Sequence, residues 1–426
     1  MNIVVFEDQF YNNFYPLSLS RPLWELRVGC FTQRERIEYI ANINKKQNDR
    51  INIYYFTREY LVPFFKEKYP RLKINDFSFL DLRDEILFLN SVIIPDDKVF
   101  TLPKNVVLIQ NDIPLAGFID STQLKKAEKI TDVLLNSKNV NLEENHSLTR
   151  LEYIWDFVES NGRQIFNDFN MLCNHNEMDV DNNVSIIGDR KQLYLEDNVH
   201  IDPFVHIDLS AGPVVVRSGT EINSFTRIEG PCYIGRESII LGAKIRKGCS
   251  FGDCCRIGGE VEESIFQGYS NKYHDGFIGH SYIGSWVNLG AMTSNSDLKN
   301  NYSSVKVYLP ERRINSALLK VGSFIGDFCT TSIGSLISTG ASIGVGSMIV
   351  HSGAMTPYHI PPFVWYINNA LTNNIDLSSF LKSCEIVTLR RNIEFTENYS
   401  HLLRHIYEIT NENRSREIEK WRRMKR

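Results

Sequence analysis

From residue 195 onward an aliphatic residue returns every sixth position. Leu195, Ile201 and Ile207 are so spaced, as are Val216, Ile222, Ile228 and Ile234. The series restarts at Ile239 with Ile245, Phe251 and Ile257, returns as Phe277, Ile283 and Leu289, and runs again through Ile325, Thr331, Ile337, Ile343 and Ile349. A helix repeats at 3.6 residues and an amphipathic strand at 2, so neither holds this register. The six-residue beat fits a parallel β-helix, in which each hexad makes one side of a triangular coil and buries its aliphatic on the axis. Glycine follows many of these positions (Gly235, Gly258, Gly284, Gly326, Gly344). It is expected at the corners, where it lets the backbone turn without a Cβ clash.

Two stretches break the beat. Gly258 to Gly276 loses the register, and Thr293 to Lys320 is a polar excursion of the kind that projects from one face of a solenoid, often the binding face. After Pro361-Pro362 the pattern becomes helical between Ser378 and Ile409, with apolar residues that include Leu381, Val387, Leu402, Leu403 and Ile406. The basic tail Arg414 to Arg426 reads as a solvated helix end. Before the coil, short apolar runs (Ile3 to Phe6, Ile51 to Phe56, Glu85 to Leu89, Val106 to Ile109) alternate with helical patterns at Gln33 to Ile43 and Ser121 to Leu135. That alternation predicts an α/β, Rossmann-like domain with a largely parallel sheet, whose ligands sit at the C-terminal ends of the strands. Three domains are expected: 1–180 α/β, 184–362 β-helix, and 370–426 a helical extension.

Composition narrows the classes of function. Forty-seven Lys and Arg face 51 Asp and Glu, a net charge of −4, which argues against a nucleic-acid polymer as partner. There is no run of 18 apolar residues and no cationic flank on the opening MNIVVFED, so neither a membrane span nor a signal peptide is expected. The eight cysteines include Cys30, Cys173, Cys384 and the neighbours Cys254-Cys255, with no CxxC or Cys/His metal spacing. They read as reduced thiols packed as small hydrophobes in a cytoplasmic protein.

Three segments resemble a known family. They are Pro16 to Thr32 (PLSLSRPLWELRVGCFT), Trp155-Asp156 with Asn161-Gly162, and Gly258 to Tyr302. An α/β domain followed by a hexapeptide β-helix resembles GlmU, the bifunctional UDP-N-acetylglucosamine pyrophosphorylase and glucosamine-1-phosphate acetyltransferase. The closer likeness is to GlmU-like sugar nucleotidyltransferases with a divergent N-terminal domain. The resemblance implies a left-handed coil, a homotrimer with active sites between neighbouring coils, and acetyl-CoA as acyl donor. It also implies a sugar 1-phosphate, a nucleoside triphosphate and Mg²⁺ for the nucleotidyl step.

GlmU-type coils carry a catalytic His, an aromatic three residues on, and then V-N-[IL]-G-A. Here His274, Phe277 and Val287-Asn288-Leu289-Gly290-Ala291 fit that spacing without a gap. The resemblance implies His274 as general base and Asn288 as a sugar contact; a neutral imidazole suits the removal of an amine proton. His280, one hexad later, is the alternative base. Arg246 matches the Arg that clamps the sugar phosphate, and a guanidinium fork fits that oxyanion. Asn295, in Asn295-Ser296-Asp297, sits where the family has Asn-Tyr-Asp near acetyl-CoA, and Lys306 is placed towards the acyl carrier. The chain also departs from the pattern. The family's Tyr is Phe277, and a Lys on the preceding coil is replaced by Glu262-Glu263-Ser264, for which Lys272 is the candidate substitute.

The N-terminal domain departs further. It has no G-x-G-T-R loop to cradle a triphosphate, and after Phe6-Glu7-Asp8 the chain reads QFYNNFYPLSLSRPLWELRVG. Arg21, Arg27 and Gly29 are the candidate nucleotide-binding residues. Asp8 and Asp96, with its neighbour Asp97, are the candidate Mg²⁺ carboxylates. Trp155-Asp156 and Asn161-Gly162 read as a helix and turn joining the domains, a structural role. The leading reading is a bifunctional sugar-nucleotide enzyme. A nucleotidyltransferase whose coil only trimerises it, and a silent scaffold that binds sugar nucleotides, stand beside it.

Overall fold

The computed structural model describes residues 1–45, 50–81, 85–123, 129–135, 140–145, 147–172, 180–310, 312–350 and 353–424. Cys173 lies outside them. The chain divides into two compact units. One comprises Met1–Asn13, Arg21–Leu26 and Phe31–Glu152; the other comprises Phe14–Ser20, Arg27–Cys30 and Tyr153–Arg426.

The first unit is built on a seven-stranded sheet in the order Asn141–Glu144, Val106–Gln110, Ile113–Asp120, Glu85–Asn90, Asn2–Phe6, Asn52–Tyr55, Lys73–Ile74. Asn2–Phe6 is buried throughout. It pairs in parallel on both sides, Val4 lying between Tyr54 and Phe88, which accounts for its unbroken apolar run. The sheet is largely parallel, as expected, with one exception: Ile113–Asp120 runs antiparallel to both of its neighbours. Pro114 and Gly117 disguise that strand in the sequence. Gly117 answers to packing: a Cβ there would sit 2.9 Å from the Val107 side chain. The helix Gln33–Ile43 starts where a capping box forms, Thr32 accepting from the Glu35 amide and Glu35 accepting from that of Thr32. The helix expected over 121–135 is instead a 3-10 turn at Ser121–Gln123 and a short helix at Ile130–Leu135, with 124–128 outside the described residues.

The second unit is a three-sided coil of parallel strands. On one face Ile207, Ile228, Ile245, Val261 and Ile278 stack rung on rung. On the next, Leu195, Val216, Ile234, Phe251, Phe266, Ile283, Ile325, Ile343 and Ile360 do the same. On the third, Ile201, Ile222, Ile240 and Ile257 stack and are followed by Lys272. Most of these aliphatics are wholly buried, and each contributes about 1.5–3 kcal/mol by leaving water. Two hexads sit one residue off the sequence reading: Ile240 and Ile278, not Ile239 and Phe277, face the axis. A one-residue slip exchanges inside for outside. Gly258 to Gly276 does not leave the ladder either, since its strands pair in order; Val261 and Phe266 face the axis at less than six-residue spacing, and Lys272 takes the next inward place. The excursion after Asn295 contains the antiparallel hairpin Lys306–Leu309 and Arg312–Asn315.

The glycines that follow the aliphatics do not make the corners. Gly235, Gly284 and Gly326 lie outside the left-handed region. They are required because a Cβ would reach 2.6 Å from the Gly252 carbonyl carbon, 2.5 Å from Asp327 Oδ1 and 2.7 Å from the Val345 amide, all on the adjoining rung. The residues with positive φ come two positions later, at Glu237, Trp286 and Phe328. Beyond the coil lie three helices, Leu377–Leu389, Glu397–Ile409 and Asn411–Met424. The last is not merely a solvated end: Arg414 is fully buried, stacks 4.1 Å from the Tyr407 ring centre and donates to the Tyr407 carbonyl. Asn161-Gly162 is likewise no turn but the middle of the helix Ile154–Leu172.

Candidate functional site

His274 lies at the corner between the third and first faces, after the strand Asn271–Lys272 and before Phe277–Gly279. Its imidazole is exposed and meets the Tyr273 ring edge-on. Among the described residues no carboxylate pairs with it. The same corner carries Phe204, Phe225, Met292 and Ile333 on other rungs, with 65%, 78%, 56% and 71% of their surfaces in solvent. Phe204 and Phe225 stack at 6.0 Å. Large apolar side chains repeated along one edge are a surface built for contact.

Lys272 does not reach this surface. It sits on the axis beneath Ile257, with 1% of its surface exposed. Its Nζ donates to the carbonyls of Gly258, at 3.1 Å, and His274. Burial pushes its ammonium down to about 8. A lysine turned inward cannot stand in for a phosphate-binding cation; instead it ties down the main chain that carries His274.

His280 occupies a different corner, one face further along the chain, so the two imidazoles do not share a pocket. It is 6% exposed, with Nδ1 at 2.9 Å from Asp297 Oδ2 and Nε2 at 3.6 Å from Glu263. Burial opposes ionisation of Asp297, but the His280 hydrogen bond, its charge and that of Lys320 outweigh it and hold the carboxyl below its usual range. Glu159, also in this acidic nest, is pushed up by burial and by the charge of Glu263. Asn295 is drawn into the ladder: its amide accepts from the Gly279 N–H at 2.8 Å and donates to the Gly279 carbonyl at 3.0 Å, which leaves it no face for a ligand.

Asn288 and Arg246 are exposed, on different faces. Asn288 bridges Asn271 and Thr330 on the third face. Arg246, following the first-face rung at Ile245, holds Glu229 at 3.2 Å and Glu260 at 3.5 Å. Lys306 is exposed on the hairpin.

Two of the expected nucleotide-binding residues turn out to build the second unit. Arg27 is buried, donates to the Cys30 carbonyl at 2.9 Å and lies over the Tyr233 ring. Gly29, at φ +68°, donates to Asn161 Oδ1 at 2.7 Å and accepts from Ser250 Oγ at 2.8 Å; Asp168 Oδ2 fills the place of its Cβ. Arg21 belongs to the first unit, where it is buried and its carbonyl accepts from Arg58.

Arg58 marks what the sequence hid. At the C-terminal ends of two parallel strands it forms a double hydrogen bond with Glu7, at 3.1 and 3.2 Å, and lies over the rings of Tyr11 and Tyr60. Burial would lower Arg58, but the charge of Glu7 more than reverses it. A lone Arg after a strand gives no signal for such a pair. Beside it, Asp8 accepts from the Phe10 amide and Asn90 Nδ2, and burial pushes its carboxyl up. Asp96 caps its own 3-10 turn through the Lys98 amide. Asp8 is thus a buried hydrogen-bond acceptor and Asp96 a surface cap. Among the described residues, no three His, Cys, Asp or Glu cluster as metal ligands. The described cysteines are all free, and all but Cys254 are buried. No described helix is long and apolar enough to cross a membrane.

Residues 3–177 match the family described as sugar nucleotidyl transferase. The chain is 35% identical over 166 residues to a bifunctional sugar-1-phosphate nucleotidylyltransferase/acetyltransferase of Sulfurisphaera tokodaii, covering 36% of this chain and 37% of that one. It is 29% identical over 163 residues to the bifunctional protein GlmU of Xylella fastidiosa, covering 38% and 32%. The matched stretch thus spans about a third of these relatives' length. Among solved structures, the UDP-N-acetylglucosamine acyltransferase of Francisella novicida overlies 54% of this chain and 90% of its own at a TM-score of 0.31 and 12% identity. The sequence matches support the GlmU-like resemblance.

Proposed function

We propose that this GlmU-like chain makes a sugar nucleotide. The first unit would couple a sugar 1-phosphate to a nucleoside triphosphate with release of pyrophosphate. The coil, left-handed in this reading, would transfer an acetyl group from acetyl-CoA to an amino sugar phosphate. The observation that carries the acyl-transfer half is the exposed imidazole of His274 on an edge lined by Phe204, Phe225, Met292 and Ile333. A second copy packed on that edge would cover its apolar surface and turn the open corner into a crevice around His274, which supports a homotrimer. The free buried thiols and the lack of a spanning helix among the described residues support a cytoplasmic site of action.

In the transfer step neutral His274 accepts the amine proton as nitrogen attacks the thioester carbonyl. The C–N bond forms, the C–S bond breaks, and CoA leaves as its thiolate, to which the imidazolium returns the proton. In this reading Asn288 contacts the sugar, and Arg246 exchanges Glu229 and Glu260 for the sugar phosphate. A second reading rests on the His280–Asp297 pair, where a carboxylate already orients the ring.

Thiol release from acetyl-CoA with glucosamine 1-phosphate tests both. His274→Ala is expected to lose ~10²–10⁴ of the rate, with His280→Ala retaining it. The reverse pattern selects the second reading, and no thioester consumption by the unaltered chain removes the acetyl-transfer proposal. Pyrophosphate release from UTP or dTTP with a panel of sugar 1-phosphates tests the first unit; tight nucleotide binding without release would leave a scaffold.

A further inference from the structure

A cavity of about 480 Å³ lies between the third face of the coil and the helix Leu377–Leu389. Its coil wall includes Tyr269, Trp286 and Phe328, stacked at one corner on successive rungs at 4.6 and 6.1 Å. Because both faces of Trp286 are covered by its neighbours, its edge is what lines the space. Val287 and Met348 continue that wall, and Phe380, Cys384 and Val387 supply the helix side. Such a largely apolar lining suits an aliphatic chain.

One end of the cavity is cationic. Arg390 and Arg391 line it, and Arg256 lies close enough for its charge to act on Arg391. Arg391 donates from Nη2 to Asn271 Oδ1 at 3.1 Å, while its Nε is buried and bonded to nothing among the described residues. Burial and the charges of Arg256 and Arg390 push its guanidinium below its ordinary value. The carboxylate in the lining, Asp376, is engaged as the helix cap, accepting from the Ser378 amide and from the Ser378 and Ser379 hydroxyls. No described carboxylate pairs with Arg390 or Arg391. An apolar chamber ending in uncompensated guanidinium groups asks for a ligand with a greasy body and an anionic head.

We infer that this cavity binds an anionic amphiphile, its aliphatic chain lying between the aromatic corner and the helix and its head group held by Arg391 and Arg390. His274, Arg246 and Lys306 do not line this cavity; Asn288, the sugar contact in the acetyl-transfer reading, lies in its wall but is not among the groups the inference uses. A free fatty acid and an acyl thioester share this chemistry.

Full-length protein would be titrated with sodium decanoate, decanoyl-CoA and 1-decanol, followed by Trp fluorescence, since Trp286 and Trp365 line the cavity, and by calorimetry. Saturable binding of decanoate or decanoyl-CoA at least tenfold tighter than decanol is expected. Arg391→Gln should weaken the charged ligands by about tenfold and leave decanol unchanged, as loss of one charge-assisted bond implies. Val387→Trp should block all three by filling the chamber, with circular dichroism confirming that each variant is folded. Decanoate alone binding identifies a free acid as the ligand, and decanoyl-CoA alone a thioester. Absence of saturation, equal affinity for decanol and decanoate, or indifference to both folded variants overturns the inference.

Discussion

Replacing Lys272 with Met should make the protein more stable and less active at once. The ammonium sits on the coil axis with 1% exposure, and burial brings its pKa from 10.5 down to about 8. That fall corresponds to roughly 3 kcal/mol against the charged form in the folded state at neutral pH. Methionine has a similar length and no charge, but it gives up the bonds to the Gly258 and His274 carbonyls, each worth about 1 kcal/mol. The net gain at pH 7 is therefore about 1–2 kcal/mol. The pH dependence identifies the cause. Below pH 8 both folded and unfolded lysine hold the proton, and the full penalty applies. Between 8 and 10.5 the unfolded chain binds more protons than the folded one, so the stability of the unaltered protein rises with pH and the advantage of Lys272→Met shrinks. Urea midpoints by circular dichroism at pH 7 and 9.5 measure this directly. An advantage of equal size at both values would refute a desolvated ammonium on the axis. Thiol release from acetyl-CoA should meanwhile fall, because the carbonyl of His274 loses its anchor.

Three further substitutions probe other parts of the argument. Phe225→Asp, at a side chain 78% exposed, should leave the fold intact and shift sedimentation to a smaller species; an unchanged mass would refute the corner as a self-association surface. Gly284→Ala must force a Cβ against Asp327 and the Gly326 carbonyl, so about 1–3 kcal/mol should be lost, and an unaltered thermal midpoint would contradict the close approach of rungs. Asp297→Asn removes a carboxyl held below its usual value of 3.8. Its contribution is complete above that value and lost as pH falls through the lower folded one, so the deficit of the variant should be visible in melts at pH 6 and shrink towards pH 3.

The coil was legible because its signal is collective. Ile222, Ile228 and Ile234 each mean little, but their shared beat admits few folds, and the stacked registers follow it. Where the beat ran one residue out, at Ile239 and Phe277, the neighbour was also apolar, so the sequence offered two equally hydrophobic choices for one inward place. Lys272 was misplaced for a related reason: a lysine reads as surface, and only the strand pairing puts it on the axis. Among the site residues, His274, Asn288 and Arg246 stand in solvent. Arg27, Gly29 and Asn295 do not, because their partners (Tyr233, Asn161, Gly279) are distant in sequence or hidden in an ordinary ladder contact. The Glu7–Arg58 pair was invisible for the same reason: ion pairing across parallel strands leaves no local pattern.

Turning by Trp286, Phe328 or His280, rather than by glycine, has an evolutionary corollary. A left-handed residue with a side chain costs about 1–2 kcal/mol, a sum that stacking on the rung above can offset. The rungs thus hold sockets at a vertical pitch of about 4.8 Å, filled by glycine at Gly219 and Gly346 and by a side chain at Glu237, Trp286 and Phe328. New specificities on such a scaffold can arise one substitution at a time, like pegs moved on a board, while the buried column keeps the board upright.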